Sequence, residues 1–176
     1  MSDKREKLMD AAENRVRASG YDGFSFRELA EAVGIKSSSV HYYFPTKADL
    51  GAAVARRYTD RFFESLPPKP HNPAKVLHEA FTRTIQRDKR VCLCGVLGSV
   101  ASSLPTSVSL ESKRFFGLAI KYLLGGEKRQ TVNLREREWA FQVIASLEGG
   151  MILALSLGDI AAFKSLGKSF AAKSRD

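Results

Sequence analysis

The strongest constraint on the fold is a helix-start signal that occurs three times along the chain. In this signal, the capping box, a small polar side chain and an acidic side chain three residues later each satisfy a free backbone amide of the first helical turn. Three pairs in the sequence fit this pattern: Ser25 with Glu28, Thr46 with Asp49, and Asn133 with Glu136. Apolar residues recur at helical spacing throughout the chain, and strand-like alternation is almost absent. The sequence therefore predicts an all-α fold.

Glycine and proline residues mark where these helices end. The segment PPKPHNP, residues 67–73, is too rich in proline to be helical, so we expect it to connect two helical units. Gly20, Gly34 and the pair Gly125–Gly126 are predicted to end helices. About nine helices result, with the approximate spans 4–19, 25–33, 37–43, 46–65, 73 onward, 91–103, 105–125, 133–157 and 159–172.

The size and hydropathy of the chain favour a soluble protein. Its 176 residues are enough for one domain of ordinary size or two small ones. The N-terminal sequence MSDKREK lacks the apolar run of a secretory signal. The most apolar stretch, Trp139 to Phe163, is interrupted by polar residues and predicts a buried helix rather than a membrane span. We therefore expect a cytoplasmic protein with no membrane partner.

The two cysteines, Cys92 and Cys94, are separated by a single residue. This spacing is neither a C-x-x-C redox motif nor a complete zinc ligand set, so the sequence predicts no metal and no cofactor. Their apolar neighbours favour buried structural thiols. A redox sensor is the alternative, and it would require an exposed thiol with a lowered pKa.

The net charge of +9 is unevenly distributed. Residues 1–50 carry eight basic and eight acidic side chains, so the whole excess lies beyond residue 50. A basic composition alone therefore does not predict nucleic-acid binding by the N-terminal part, where any positive potential must be local. The excess beyond residue 50 favours an anionic ligand, but it would equally aid solubility or long-range attraction to DNA.

Only the segment AVGIKS joins the second and third predicted helices, and Gly34 lies in the turn, which is the signature of a helix-turn-helix. An ordinary helical hairpin can contain the same turn, so the third helix has to decide between them. On the third helix, within SSSVHYYF, Val40 and Phe44 are four residues apart and share one face, which we expect to be buried. The opposite face carries hydroxyl groups, an imidazole and a phenol, which suit contacts with phosphates and base edges in a major groove. Because this helix contains no arginine, we expect specificity to depend on small polar contacts and on DNA shape.

The segment GYDGFSFRELAEAVGIKSSSVHYYFPTKADL, within residues 9–50, resembles the N-terminal domain of tetracycline-repressor (TetR) family regulators. The resemblance implies an all-helical homodimer whose first three helices bind double-stranded operator DNA. It also implies a larger C-terminal domain that dimerises and binds a small-molecule effector. We accordingly assign residues 1–50 to a DNA-binding domain and residues 51–176 to an effector-binding and dimerisation domain.

The resemblance also implies which residues contact DNA. By position these are Ser38, Ser39, His41, Tyr42, Tyr43 and Lys47, with Arg27 and Thr46 at positions that often touch phosphate. Lys36 and Ser37, at the start of the third helix, complete the predicted site. A packing role for Tyr43 is equally plausible, and His41 is better interpreted as a neutral hydrogen-bonding group than as a pH switch.

The C-terminal domain provides two further sets of candidates. Aromatic and aliphatic residues on the middle helices are candidate walls of an effector pocket: Phe81, Ile85, Phe115, Phe116 and Tyr122. The eighth helix is apolar on nearly all sides, which predicts that one side faces its own core and the other a second subunit. The predicted dimer contacts are Phe141, Ala145, Glu148, Ile152, Phe163 and Phe170.

Two other functions compete with a ligand-responsive regulator, most simply a repressor. An enzyme would require a nucleophile, base and orienting group or a metal set, and the three histidines form no recognised catalytic motif. A helical interaction module without DNA binding is the second alternative, and its mark would be a dimer whose assembly is insensitive to salt.

Overall fold

The computed structural model of the protein describes residues 2–125 and 133–171. Within these ranges the chain forms nine α-helices and one short 3-10 helix, Ala101–Ser103. The α-helices are α1 Ser2–Ser19, α2 Phe26–Val33, α3 Ser37–Tyr43, α4 Lys47–Glu64, α5 Pro73–Asp88, α6 Leu93–Ser99, α7 Thr106–Leu123, α8 Leu134–Ser156 and α9 Ile160–Ala171. The predicted all-α fold is confirmed. The predicted contribution of Gly126 to the end of α7, and of residue 172 to α9, lies outside the described residues.

All three predicted capping boxes are present. At α2 the Glu28 amide donates to the Ser25 hydroxyl, and the Ser25 amide donates to the Glu28 carboxylate at 2.8 Å. The hydrogen bonds from Ser25 hold the pKa of Glu28 below its usual value, because they stabilise the carboxylate. The same reciprocal bonds join Thr46 to Asp49 before α4, and Asn133 to Glu136 at α8.

The sixth helix is shorter than its predicted span of 91–103. The preceding helix, α5, ends at Asp88 and is capped by Lys89, which adopts a left-handed conformation with φ of 51°. Cys92 is buried, but it lies outside the helix, which begins only at Leu93. The helix then breaks at Val100, which has a non-helical backbone, and a single 3-10 turn follows. The apolar spacing correctly predicted that Cys92 is buried. It could not show that the residues before Leu93 are not helical.

The helices divide into two compact units. The first unit contains the chain up to Arg61 together with Leu93–Arg114, and the second contains Phe62–Cys92 together with the chain from Phe115 onward. Most of α4, all of α6 and the first half of α7 therefore pack with α1–α3. This division by contacts differs from the functional boundary predicted at residue 50, because α4 and α7 each contribute residues to both units.

Close packing in the first unit depends on a glycine in α4. A Cβ atom at Gly51 would lie 2.8 Å from Cε2 of Tyr21 and 3.1 Å from Cγ2 of Val108. Any larger residue would force α4 away from the turn before α2 and from α7. The core around this contact includes Leu50 and Val54, which are almost completely buried.

Ion pairs also hold α4 within the first unit. The guanidinium of Arg57 donates to three carboxylates of α1: Glu6 at 2.8 Å, Asp10 at 2.7 Å and Glu13 at 3.2 Å. On another side of α4, Arg56 donates to the buried carboxylate of Glu111 on α7 at 2.8 Å. These pairs fix α4 against both α1 and α7.

The second unit is built around α5, α8 and α9. His78 of α5 is buried, stacks on the ring of Phe163 and lies 2.9 Å from the Phe163 carbonyl oxygen through Nε2. Since a carbonyl oxygen only accepts, Nε2 is the donor. Gly150 lies against Leu166 and Phe163, where a Cβ would meet their side chains at 2.8 and 3.0 Å. The absence of a side chain at Gly150 therefore lets α8 and α9 approach closely.

The longest helix, α8, has two contrasting faces. One face is buried against its own unit and consists of Ala140, Val143, Ile144, Leu147, Met151 and Ala154. The other carries exposed large side chains, including Phe141 at 69% exposure and Ile152 at 54%. Among the described helices, α8 alone has the length and apolar composition to cross a membrane, but core helices of soluble proteins share these properties. The predicted two-sided character of α8 is present in the protomer.

Candidate DNA-binding site

The turn between α2 and α3 fixes the direction of the short third helix. Gly34 ends α2 in the left-handed conformation with φ of 71°, which a residue with a side chain adopts only at a cost. Its amide donates to the carbonyl oxygens of Ala30 and Glu31, and the Ile35 amide donates to Ala30. The chain therefore leaves α2 in a fixed direction and enters α3 three residues after the glycine.

The inner face of α3 anchors the helix, as the sequence predicted. Val40 is fully buried and Phe44 is 2% exposed, and both belong to the core that contains Leu29. Phe44 is also covered from the other side, because the guanidinium of Arg5 lies 5.0 Å from its ring centre. The remaining side chains of α3 are thus directed away from the core.

The outer face of α3 carries the predicted reading residues. Ser37 and Ser38 are exposed, Ser39 is half-buried, and Tyr42 is 71% exposed. Lys36 caps the helix N-terminus with its backbone alone and is exposed. Tyr43 is half-buried and packs edge to face against Tyr42 at 5.2 Å. Tyr43 therefore supports the exposed Tyr42 ring and also retains some accessible surface.

His41 has a more defined role than the sequence indicated. Its Nδ1 lies 3.1 Å from the Pro45 carbonyl oxygen, and its ring packs edge to face on Phe26 at 4.9 Å. Because the carbonyl oxygen can only accept, Nδ1 carries the proton. In the neutral imidazole Nε2 is then an acceptor. His41 thus joins α3 to α2 and to the turn before α4, and it offers an acceptor to a DNA donor.

Lys47 is held in place by aromatic residues. Its ammonium lies 4.9 Å from the ring centre of Tyr21 and 4.6 Å from that of Phe24. Asp22 is 3.7 Å away but is almost fully solvated, so it screens the charge only weakly. Cation–π contacts of this kind orient an ammonium without neutralising it. Lys47 is therefore a positioned positive charge beside α3, not a free surface lysine.

Thr46 and Arg27 occupy the edges of this surface. The Thr46 hydroxyl donates to the Asp49 carboxylate at 2.7 Å and accepts from the Asp49 amide at 3.1 Å. Since the capping box occupies this hydroxyl, a phosphate here would have to approach the exposed backbone amides at the start of α4. Arg27 is exposed in the first turn of α2.

The sequence interpretation missed the residues that support the site. Tyr21 and Phe24 hold Lys47, while Phe26 and the Pro45 carbonyl hold His41. One signal was available, because aromatic residues recur at 21, 24 and 26, in the turn before α2 and at its first residue. Aromatic side chains in a turn next to a polar helix commonly form a platform for charged or polar groups.

Comparison with known proteins shows the family to which the chain belongs. Residues 8–54 match the sequence profile of bacterial regulatory proteins of the tetR family. A TetR transcriptional regulator from Legionella pneumophila is 31% identical, with 94% of each chain covered and a TM-score of 0.77. The chain belongs to the TetR family. It is thus a DNA-binding transcriptional regulator, and residues 26–43 are its helix-turn-helix.

Other structures share the fold along the whole chain. A TetR-family transcriptional regulator from Agrobacterium tumefaciens is 22% identical, with 99% of each chain covered and a TM-score of 0.79. A regulatory protein TetR from Rhodobacter sphaeroides is 21% identical, covering 94% of this chain and 95% of its own, with a TM-score of 0.73. A comparison with curated protein sequences gave no significant match.

Of the residues predicted to line an effector pocket in this TetR-family chain, Phe81, Phe115 and Phe116 belong to an aromatic cluster in the second unit. Phe115 is fully buried and lies 5.3 Å from Phe62 and 5.4 Å from Phe116, and Phe62 lies 5.4 Å from Phe81. Ile85 is also fully buried. The Tyr122 hydroxyl donates to the Pro67 carbonyl, and partial burial raises the pKa of its phenol. Phe81, Phe115, Phe116 and Tyr122 thus have definite contacts within the unit, and Phe62 also belongs to the aromatic cluster.

The predicted dimer contacts separate into two groups. Phe141, Ala145 and Ile152 are exposed on the outer face of α8, where a partner could cover them. Phe163 is 1% exposed and stacks on His78, so it is not available to a second subunit. Phe170 is half-buried beside the same histidine. The sixth predicted contact, Glu148, has its Oε1 atom enclosed within its own protomer.

Proposed function

We propose that the protein is a repressor that binds a pseudo-palindromic operator as a homodimer and is released by a small-molecule effector. The proposal assigns operator contacts to residues 1–50, and effector binding and dimerisation to residues 51–176. It includes a cytoplasmic location and no catalytic activity, since regulators of this family act by binding DNA.

The observation that carries the proposal is the composition of the outer face of α3. Hydroxyl, imidazole and phenol groups are presented together, the helix contains no acidic residue, and a positioned ammonium lies beside it. An ordinary solvated helix face would instead carry interspersed lysine and glutamate residues. The small hydroxyl side chains allow the α3 backbone to approach base edges, while Lys47 and Lys36 provide charges for the flanking phosphates.

The outer face of α8 supports the homodimer. It exposes Phe141, Ile152 and Leu153, and Leu157 directly after the helix is also exposed, each more than half accessible. Exposed large apolar side chains of this kind are typical of a protein interface. A two-fold dimer would present two copies of α3, which could enter successive major grooves about 34 Å apart on one side of a duplex.

Two observations support the proposed effector binding: membership of the TetR family and the aromatic cluster of the second unit. Release from DNA requires that the effector bind one conformation of the dimer more tightly than the other. α4 is the natural transmitter, because it begins next to α3 and ends with residues of the second unit. Ion pairs of Arg57 and Arg56 attach α4 to α1 and α7. A shift of α4 would therefore also move α3, which belongs to the same unit.

The test is a mobility shift with DNA from upstream of the protein's own coding region, measured over a salt series. The proposal predicts a specific complex that outlasts competitor DNA, and whose affinity decreases linearly with the logarithm of salt concentration. A shift that competitor DNA removes as readily as unlabelled operator, or no shift at low salt, would contradict the proposal for that site.

A further inference from the structure

Contacts within the protein restrict what His41 can offer to DNA. Its Nδ1 donates to the Pro45 carbonyl oxygen at 3.1 Å, and its ring packs edge to face on Phe26 with 4.9 Å between the ring centres. These two contacts hold the ring from the turn before α4 and from α2. The neutral imidazole carries a single N–H, which the Pro45 carbonyl already occupies. The other nitrogen, Nε2, can therefore only accept a hydrogen bond.

The surroundings of His41 leave this acceptor available to a DNA base. The residue is exposed, and within residues 2–125 and 133–171 no group forms a hydrogen bond with Nε2. Ser37 and Ser38 lie one helical turn before His41 on the same face of α3, and both are exposed. Because their side chains are small, a base edge can come close to the helix at this point.

Only one kind of group in the major groove matches an acceptor. Phosphate oxygens accept hydrogen bonds and do not donate them, so the neutral His41 has no bond to offer to the DNA backbone. The donors in the groove are the exocyclic amino groups, N6 of adenine and N4 of cytosine. The serine and tyrosine hydroxyls of α3 both donate and accept, and lysine only donates. His41 therefore differs from its neighbours in the DNA group that it can bind.

We propose that His41 is a specificity-determining residue that accepts a hydrogen bond from the exocyclic amino group of an adenine or a cytosine in each half-site of the operator. This inference rests on the proposed operator contacts of α3 and gives one of them its chemistry. Pro45 and Phe26 are positioning residues, since they act on DNA only through the imidazole. α3 contains no arginine to read guanine, so a base contact of this kind contributes a larger share of its specificity.

The test removes the amino group from the DNA and the imidazole from the protein, separately and together. Operator duplexes carry purine deoxyriboside in place of each adenine nucleotide of one half-site in turn, or 2-pyrimidinone deoxyriboside in place of each cytosine nucleotide. Both analogues lack only the exocyclic amino group. In anisotropy titrations, the full-length wild type should lose affinity about three- to tenfold at one position where His41→Phe loses none. The altered base pairing is the same for both proteins, so its effect cancels in this comparison.

The choice of variants separates a base contact from a structural effect. His41→Phe keeps an aromatic ring against Phe26 but has no acceptor, and it should retain the wild-type salt slope because no phosphate contact is removed. If this variant fails to fold, His41→Asn replaces it and should show the same loss of preference. Its amide can donate to the Pro45 carbonyl but does not extend to the position of Nε2. His71→Phe is the matched control, because His71 is exposed in the proline-rich connector, and it should behave like the wild type at every position.

Two outcomes would overturn the inference while leaving the proposed function intact. The first is a specific operator complex in which no analogue distinguishes the wild type from His41→Phe. The second is a salt slope that decreases by roughly 0.9 in His41→Phe, the value for one phosphate contact, which would mean that a charged imidazole donates to the backbone. Absence of any specific complex with the unmodified duplex would instead contradict the proposed function, and this inference with it.

Discussion

Lys47 is the residue whose charge should matter most for operator affinity. Its ammonium is held over Tyr21 and Phe24, so it is already oriented when DNA arrives. Replacement with alanine should weaken binding to all sequences, and it should reduce the slope of log affinity against log salt by roughly 0.9, the value for one phosphate contact. Anisotropy titrations at several salt concentrations measure both effects.

The control for Lys47→Ala is Lys69→Ala, which removes the same charge from an exposed position in the proline-rich connector. This variant should retain the wild-type salt slope. An unchanged slope in Lys47→Ala, or an equal loss in both variants, would mean that Lys47 contacts no phosphate and acts only through the net charge of the protein.

Replacement of Tyr42 tests whether the outer face of α3 contacts DNA. The Tyr42 side chain is 71% exposed, so truncation to alanine should change the free energy of unfolding by less than about 0.5 kcal/mol. In contrast, operator affinity should fall by about 1–3 kcal/mol if the ring or hydroxyl contacts DNA. Parallel chemical denaturation and anisotropy experiments separate the two quantities. Operator affinity equal to that of the wild type would show that the DNA-binding face of α3 is assigned incorrectly.

The raised pKa of Glu148 should make the free energy of unfolding depend on pH. The variant Glu148→Gln should lack this dependence. The folded-state pKa of Glu148 is raised to about 7 from the usual 4.5. The folded protein therefore holds this proton more tightly than the unfolded chain does. Its stabilising contribution is complete below about pH 4.5 and is lost as the pH rises through about 7. As the pH rises through this window, the free energy of unfolding of Glu148→Gln minus that of the wild type should increase by roughly 2–3 kcal/mol.

Denaturant titrations of both proteins between about pH 4.5 and 8 test this dependence. Other groups also titrate in this range, but their effects cancel in the difference between variant and wild type. A constant difference across the window would mean that the carboxylate is solvated in the folded protein.

At the scale of the helices, Arg57 makes most of the side-chain bonds that attach α4 to α1, and Arg61 of α4 adds one to Glu13. Arg57 is 15% exposed and donates to Glu6, Asp10 and Glu13. Replacement with methionine keeps the apolar stem but leaves three neighbouring carboxylates without their shared cation. The free energy of unfolding should decrease by roughly 1–3 kcal/mol, a range reduced because Glu6 and Asp10 are partly solvated.

The matched control for Arg57→Met is Arg83→Met, at an exposed position on α5. Its stability in chemical denaturation should remain within about 0.5 kcal/mol of the wild type. Equal effects of the two substitutions would indicate that the ion pairs between Arg57 and the α1 carboxylates do not contribute to the free energy of unfolding. The loss in Arg57→Met should also diminish at high salt, since the partly exposed pairs are screened.

The helices show which structural features local sequence determines. The starts of α2, α4 and α8 were predictable, because each capping box satisfies amides of its own first turn. The arginine contacts of α4 were not predictable, because they join residues about fifty positions apart in the chain. The break of α6 at Val100 was not predicted either. Helical phase placed Val40, Phe44 and Tyr42 correctly. It could not identify the two rings that hold Lys47 or the carbonyl that holds His41.

At the scale of the whole molecule, the account requires a homodimer formed through the outer face of α8. Ile152 is 54% exposed at the centre of that face, so Ile152→Asp should leave the protomer folded but place a charge in the interface. Sedimentation velocity should then detect monomers. Operator affinity should decrease by at least about a hundredfold, because the second half-site no longer binds as part of the same molecule.

Leu110→Asp is the control for the dimer experiment, because Leu110 is 57% exposed on α7 and lies in the first unit. This variant should remain dimeric and retain operator binding. Dimers of Ile152→Asp at the wild-type dissociation constant would locate the interface elsewhere. Monomers of Leu110→Asp would show that the exposed residue on α7 is also part of the interface.

The central claim is that two copies of α3 read one operator, and hydroxyl-radical footprinting of the protein on its upstream DNA tests it most directly. The account predicts two equivalent protected regions on one side of the duplex, with centres about one helical turn or a whole number of turns apart. Lys47→Ala should weaken both regions equally. A single protected region, protection spread evenly along the fragment, or two regions on opposite sides of the duplex would contradict the account.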